Sequence, residues 1–292
     1  MKLIFIINPV SGKNKGIIIG KVIEEYCKVN KLDYKIIFTN KKDDAKNIAK
    51  IYKDIPNATI YSVGGDGTLN EVVNGLANSQ SNLGIIPVGT GNDFYRSIDS
   101  CYNQKIDLGK VNDKYFINVA SLGLDAEIAN YTNYLKTRNF PNKLVYILGI
   151  IHEYFSYKPI NVNVEGETKD TTILTVCNAR YYGGGFKIAP KAKLNDGLFD
   201  IIDVKSLNKL QIIGLISELV NKKHLESKNV DFYRTDSIKI SSLIPLNCNI
   251  DGEIIKDTDF NFTIQENAIN LDNNSTDYIN ICNLLKQKRL IK

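Results

Sequence analysis

The first hundred residues set short, nearly continuous apolar runs, LIFII (3–7), YKIIF (34–38), TIYSV (59–63) and LGIIP (83–87), against helical patterns that fill the gaps between them. Runs that are apolar at consecutive positions read as strands buried on both faces. The intervening stretches space apolar residues at i, i+3, i+4 and i+7, as in Ile19, Val22, Ile23 and Tyr26, then Ala45, Ile48, Ala49 and Tyr52, then Leu69, Val72, Val73 and Leu76. Each set is one stripe of a helix surface. Strand and helix in alternation predict right-handed βαβ units around a largely parallel sheet.

From about residue 106 the texture changes to closely spaced strand patterns: YFINVAS, INVNV, TTILTVCN, LFDIIDV, DSIKIS, LNCNI and FNFTI. Two helical segments interrupt them, near 143–155 and 207–222. No period of a solenoid or propeller repeats. A chain of 292 residues is at the length where single cores give way to two domains. The expected fold class is α/β plus β: residues 1–106 form an α/β domain with a parallel-type sheet, and 107–272 a β domain. DNNSTD (272–277) reads as a linker, after which the tail, 273–292, packs back on the first domain.

With 43% hydrophobic and 24% charged residues the chain reads as an ordinary globular protein. Its five cysteines (Cys27, Cys101, Cys177, Cys248, Cys282) are an odd, scattered set without CxxC spacing, which indicates neither a disulfide framework nor a zinc site and fits a reducing cytoplasm. The opening MKLIFIIN is too short an apolar run for a signal peptide and reads as a buried strand. LVYILGII (144–151) falls far below the ~20 residues that cross a bilayer, so any membrane contact is expected to be peripheral. The formal charge of +5 favours an anionic partner weakly, and no nucleic-acid motif accompanies it.

Ligands of open α/β sheets sit beyond the carboxyl ends of the strands, and the glycine-rich segments fall there. NPVSGK (8–13) follows the first strand, GGDGT (64–68) the third and PVGTGND (87–93) the fourth. Glycines let backbone amides approach a phosphate, and a following helix N-terminus adds partial positive charge. Neither a GxxxxGK[ST] nor a GxGxxG spacing occurs. Thr68 and Glu71 in TLNE have the spacing of a capping box. Asp66 is a negative charge among amides that suit phosphate, an arrangement that calls for a cation between them or else marks an Asx turn. Asp93 offers a second carboxylate on the same terms, while NDGLFD and IDGE read as Asp-Gly hairpin turns.

GGDGTLNEVVNGL, with NPVSGK upstream and IPVGTGNDF downstream, resembles the diacylglycerol kinase catalytic domain shared by bacterial soluble lipid kinases, sphingosine kinases and ceramide kinases. The likeness continues through FINVASLGLDAEI, YYGGGFKIAPKAKLNDGLFDIIDV and NIDGE, covering nearly the whole chain in order. The resemblance implies an ATP-binding α/β domain and a β-sandwich domain, with the lipid site in the cleft between them. It places nucleotide on Asn8, Pro9, Val10, Ser11, Gly12, Thr39, Gly64, Gly65, Asp66, Gly67, Thr68, Leu69, Asn70 and Thr90. Asp66 would hold the catalytic Mg²⁺, with Asp93 in the supporting network, and Glu253 matches the family's proton acceptor. A separate structural Mg²⁺ would take Asp196 with the backbone carbonyls of Lys193 and Leu198.

The implied reaction passes the γ-phosphoryl group of ATP to a lipid hydroxyl, most often that of diacylglycerol. His152 and His224 sit in no motif, and no phosphoenzyme is expected. The partners implied are a lipid with a free hydroxyl and an anionic membrane surface, at the inner face of the membrane of a cytoplasmic protein. The helix near 143–155, flanked by Lys136, Arg138 and Lys143, either packs its stripe in the core or rests on that surface, and the KQKRLIK tail is either a solvated end or a second contact with it. A homodimer follows from the resemblance alone. NAD kinase shares GGDGT and is the nearest enzymatic alternative. A catalytically silent lipid- or nucleotide-sensing module is the alternative of another class, which the presence of both Asp66 and Glu253 opposes.

Overall fold

The computed structural model describes residues 2–89, 91–98, 103–137 and 142–291. Thr90, Cys101 and Arg138, and the side chains of Lys136 and Lys143, fall outside what is described. Strands β1 (Lys2–Ile7), β2 (Asp33–Phe38), β3 (Ala58–Gly64) and β4 (Asn82–Pro87) pair in the parallel order β2-β1-β3-β4. The helical segments between them are α1 (Ser11–Asn14), α2 (Gly16–Val29), α3 (Asp44–Tyr52) and α4 (Asp66–Leu76), and the short α5 (Asp93–Ser97) follows β4.

The continuous apolar runs are explained by what covers each face. In β1, Ile4 and Ile6 join a core with Ala45, Ala49, Leu69 and Val73, supplied by α3 and α4. Leu3, Phe5 and Ile7 point the other way, into a core with Ile19 and Ile23 of α2 and with Ile281 and Leu285 of α9 (Thr276–Gln287). Period-two alternation thus places one strand's side chains in two separate cores.

The second half consists of β5 (Asn103–Val111), β6 (Lys114–Phe116), β7 (Val119–Gly123), α6 (Leu124–Thr137), α7 (Asn142–Ser156), β8 (Ile160–Val164), β9 (Glu167–Cys177), β10 (Phe199–Lys205), α8 (Lys209–Val220), β11 (Val230–Thr235), β12 (Ser237–Ile250) and β13 (Glu253–Asp272). Its strands enclose an aromatic core in which Phe116 stacks on Phe199 at 5.8 Å and meets Phe262 edge-on at 6.3 Å. DSIKIS and LNCNI, which read as two strands, are parts of the single 14-residue β12.

The two halves share a sheet. β13 continues past the aromatic core and pairs in parallel with β4, Asn270 opposite Asn82 and Leu271 opposite Leu83. β5 runs antiparallel to β13 along much of its length. NDGLFD is not a tight hairpin turn: Gly197 has φ +68, and the segment ends a long connection between the paired ends of β9 and β10, where Asp200 lies opposite Cys177. Cys27, Cys177, Cys248 and Cys282 are free buried thiols. Among the described residues no helix is long and apolar enough to cross a membrane.

Candidate active site

The segments after β1, β2 and β3 meet at one sheet edge because neighbouring strands end together. Asn8 N–H donates to Val63 O at 3.1 Å, and Thr39 N–H to Ile7 O at 2.9 Å. Asn8 then fixes the loop by side chain, accepting from Val10 N–H at 3.1 Å and donating to Thr68 Oγ1 at 3.2 Å. Asn8, Pro9, Val10, Thr39, Gly67 and Thr68 wall a cavity of about 360 Å³. Gly67 explains itself by what is missing around it: a Cβ added there would meet no protein atom within 4 Å. Packing does not require that glycine, whereas a phosphate approaching the first turn of α4 would.

Not every predicted nucleotide residue reaches this cavity. Ser11 and Gly12 form the adjoining one-turn α1, Gly64 and Gly65 lead into α4, and Leu69 is buried in the core. Asn70 instead donates to Asp251 Oδ2 at 3.1 Å. The expected capping box is absent. The helix begins earlier, with Gly65 as N-cap, so Thr68 lies inside it; its hydroxyl serves Asn8, and Glu71 Oε2 accepts from Ala45 N–H of α3 at 3.1 Å.

Asp66 and Asp93 are tied together. Asp66 Oδ1 accepts from the Asp93 main-chain N–H at 2.7 Å, and Asp93 Oδ2 accepts from Gly184 N–H, also at 2.7 Å. The GGDGT turn, the GTGND turn and the YYGGG loop of the second half are thereby joined through carboxylates. Gly91 makes room, since a Cβ there would stand 2.8 Å from Asp66 Oδ2. Burial pushes the Asp93 carboxyl above its ordinary range, opposed by the Gly184 amide and reinforced by the charge of Asp66. Asp93 Oδ1 is buried with no hydrogen-bond partner. Two linked carboxylates, one with an unsatisfied oxygen, fit a Mg²⁺ that completes its shell from phosphate oxygens and water. Among the described residues no three His, Cys, Asp or Glu side chains converge to hold a metal unaided.

Glu253 begins β13 across a two-residue turn in which Asp251 and Gly252 both have positive φ, 50° and 96°. Its carboxylate lies 2.8 Å from Lys42 Nζ and 3.7 Å from Lys114 Nζ. Lys42 lines the 360 Å³ cavity, on a loop whose Asn40 and Lys41 amides are gathered by Asp44 Oδ2. Burial alone would raise the Glu253 carboxyl, but Lys42, aided by Lys114, outweighs it and holds the group below the ordinary range. Asp251 faces inward. It accepts from Ile117, Asn118 and Val119 N–H at 2.7, 3.0 and 3.0 Å as well as from Asn70. Desolvation exceeds even these four donors and pushes its pKa up to about 6.

A second cavity, about 310 Å³, has Asp66, Asp93 and Asp251 on one side and Thr132, Tyr182 and Asn249 on the other. Tyr182 O–H donates to Asp125 Oδ2 at 2.8 Å, Ser121 Oγ donates to the same oxygen, and Asn249 Nδ2 donates to the Tyr182 oxygen. This wall is polar and internally braced. Sequence reasoning assigned no role to Lys42, Lys114, Asp125, Tyr182 or Asp251; Asp125, Tyr182 and Asp251 lie in the quoted FINVASLGLDAEI, YYGGGFKIAP and NIDGE, while Lys42 and Lys114 lie in no quoted motif.

Asp196 is occupied on one side: its Oδ2 pairs with Arg234 at 2.5 Å, and the same guanidinium pairs with Asp200 Oδ1 at 2.7 Å. Asp196 Oδ1 is buried without a partner. His152 stacks on Tyr131 at 3.8 Å, and buried His224 bonds Ile188 O at 2.7 Å, both away from this site.

Comparison with known proteins finds two matched segments, the first of which extends through β5. Residues 2–115 match the diacylglycerol kinase catalytic domain, and 118–272 the YegS C-terminal NAD kinase beta sandwich-like domain. The chain is 33% identical over 221 residues to the diacylglycerol kinase of Bacillus subtilis, covering 66% of this chain and 70% of that one. It is 30% identical over 277 residues to the diacylglycerol kinase of Staphylococcus epidermidis, covering 85% and 84%. A crystal structure described as a diacylglycerol kinase from Bacillus anthracis superposes with a TM-score of 0.68 at 21% identity, over 92% of this chain and 96% of that one, and shares the fold. The chain belongs to the diacylglycerol kinase family and is a lipid kinase.

Proposed function

We propose that this protein transfers the γ-phosphoryl group of ATP to the free hydroxyl of diacylglycerol, giving phosphatidic acid for phospholipid synthesis, while resting peripherally on the cytoplasmic face of a membrane. One observation carries the reading: Glu253 of the second half is in direct ion contact with Lys42, which walls the cavity at the sheet edge of the first. A carboxylate thus stands beside the 360 Å³ recess, and Asp66, next to Gly67 of that recess, walls the second, polar cavity. In this scheme residues 1–106 with 273–292 bind nucleotide, supported by the packing of α9 on α2 and β1. Residues 107–272 bind the acceptor.

The amides at the start of α4 and the Lys42 ammonium position the phosphates. Asp66 and Asp93 would hold Mg²⁺, which when bound neutralises phosphate charge. Glu253 takes the proton of the acceptor hydroxyl as its oxygen bonds to the γ-phosphorus and the bond from that phosphorus to the bridging oxygen of ADP breaks. The lysines keep Glu253 ionised, ready to accept. Lys193, Asp196 and Leu198 remain the proposed structural Mg²⁺ ligands, with the orphaned Asp196 Oδ1 as the atom such an ion would satisfy.

The test incubates purified protein with Mg-ATP and, separately, diacylglycerol, phosphatidylglycerol, undecaprenol, sphingosine and NAD, with products identified by mass. Phosphatidic acid is the expected product. Transfer to NAD with none to any lipid would sink the reading.

A further inference from the structure

The helix α8, KLQIIGLISELV, carries more apolar surface than its packing uses. At 3.6 residues per turn Ile212, Leu215 and Leu219 share one arc, and Leu210, Ile213, Ile216 and Val220 fill the adjoining arc of roughly 120°. The first arc docks, with Ile212 buried and Leu215 packed on the cluster containing Val204, Leu207 and Val230. The second faces solvent: Leu210 is 78% exposed, Ile213 53%, Ile216 47% and Val220 62%. One stripe of about 100° holds a surface helix to its core, so the second stripe has no part in holding it.

The patch continues onto α7. Lys209 Nζ donates to Phe155 O at 2.7 Å, and Phe155 is itself 71% exposed. α7 rests on α6, where Gly149 leaves room for Thr132, a residue of the polar cavity wall. The apolar face is thus connected through α7 to α6, whose Thr132 walls the acceptor cavity. Lysines mark both ends of α8, Lys209 at its start and the exposed Lys222 and Lys223 just beyond its end. The sole acid on the helix, Glu218, lies on the far side from the exposed arc and is half-buried.

We propose that the exposed face of α8, continued by the end of α7, is the surface that rests on an anionic lipid bilayer. Its aliphatic side chains enter the acyl boundary, and Lys222 and Lys223 meet the headgroups. The proposal rests on the peripheral reading above and names its face. A second copy of the chain fits less well, because a two-fold antiparallel pairing of α8 would set Lys209 against the lysines at the partner's other end. The KQKRLIK tail is otherwise engaged, its Leu290 and Ile291 packed in the first-half core and its Arg289 carbonyl bound by Lys15 Nζ at 3.0 Å.

The test is co-sedimentation with vesicles of equal parts phosphatidylcholine and phosphatidylglycerol, for the wild type and for the combined variant Leu210→Gln, Ile213→Gln, Val220→Gln. These positions are exposed, so the variant should keep the wild-type melting temperature. Its vesicle binding should fall at least about tenfold. Turnover of diacylglycerol presented in vesicles should fall with it, while turnover of a short-chain diacylglycerol dispersed as monomers stays unchanged. Lys222→Gln with Lys223→Gln should weaken binding several-fold to these vesicles and leave the weaker binding to pure phosphatidylcholine as it was. Wild-type binding that the aliphatic variant retains in full would overturn this face alone. Absence of wild-type binding would overturn the peripheral reading as well. Conversion of a dimer to a monomer by the same substitutions, with vesicle binding intact, would assign the face to a second copy and reject the proposal.

Discussion

The two sides of the β12–β13 turn hold carboxylates two residues apart that meet opposite fates. Asp251 turns inward to three main-chain amides and Asn70, and desolvation raises its pKa to about 6. Glu253 turns outward to two ammonium groups and is held below the ordinary range. The contrast shows how one tight turn separates holding from reacting. Asp251 spends its oxygens fastening the turn to β7 and α4, while Glu253 is met by two exposed lysines.

The largest effect that would break this contrast is on turnover. Glu253→Gln should lower kcat by about 10²- to 10⁴-fold, the range for loss of a general base, with the melting temperature little changed. A variant that keeps wild-type kcat would remove Glu253 from the chemistry. Asp251→Ala should act first on the fold, costing about 2–4 kcal/mol because four donors lose their acceptor, measured by urea denaturation. Equal stability would show that the turn is held by something else.

The pH dependences of the two groups have opposite signs. The raised pKa of Asp251 means that the folded chain binds a proton the unfolded chain has released. Stability from this group is therefore present below the ordinary carboxylate range and declines as pH rises through about 6. The lowered pKa of Glu253 contributes stability above the ordinary carboxylate range that is lost as pH falls through its folded value. Asp251→Asn should accordingly flatten the stability profile near pH 6, and an unchanged profile would show that Asp251 does not titrate there.

Smaller effects sharpen the outward side. Lys42→Met should move the acid limb of kcat to higher pH by a fraction of a unit, since an exposed pair is weakly coupled, and should weaken ATP binding several-fold by calorimetry. Lys114→Met, more distant from Glu253 and outside the 360 Å³ cavity, should produce a smaller shift of the acid limb and leave ATP affinity unchanged. Equal losses of ATP affinity in the two variants would deny Lys42 a distinct role.

Much of the first half was legible in sequence because strands covered on both faces read as unbroken apolar runs and their helices as single stripes. The sheet-edge loops were legible for the same reason: once strand ends are known, Asn8, Thr39 and Gly67 have nowhere else to lie. Contacts between distant loops were not legible. Lys42 in TNKKDD has no pattern that separates it from its neighbour Lys41, and Asp251 looks like any aspartate before a turn glycine. TLNE misled because the capping-box spacing is met while tertiary partners, Asn8 and the Ala45 amide, claim both side chains. α8 was found by its apolar residues, yet a one-dimensional pattern cannot say that only one of its two arcs would be covered.

The pairing of β13 with β4 has a consequence for how the chain reaches this state. The inner sheet of the first half is finished by Asn270 and Leu271, and one of its two cores is closed by α9, so both depend on segments made only after the whole β-rich half. Until then the early βαβ units carry an open strand edge and a bare apolar face, the combination that makes nascent chains prone to aggregate. Folding of the first half is on this account a late event, gated by synthesis of β13 and α9, and slow because its decisive contacts are separated by most of the sequence.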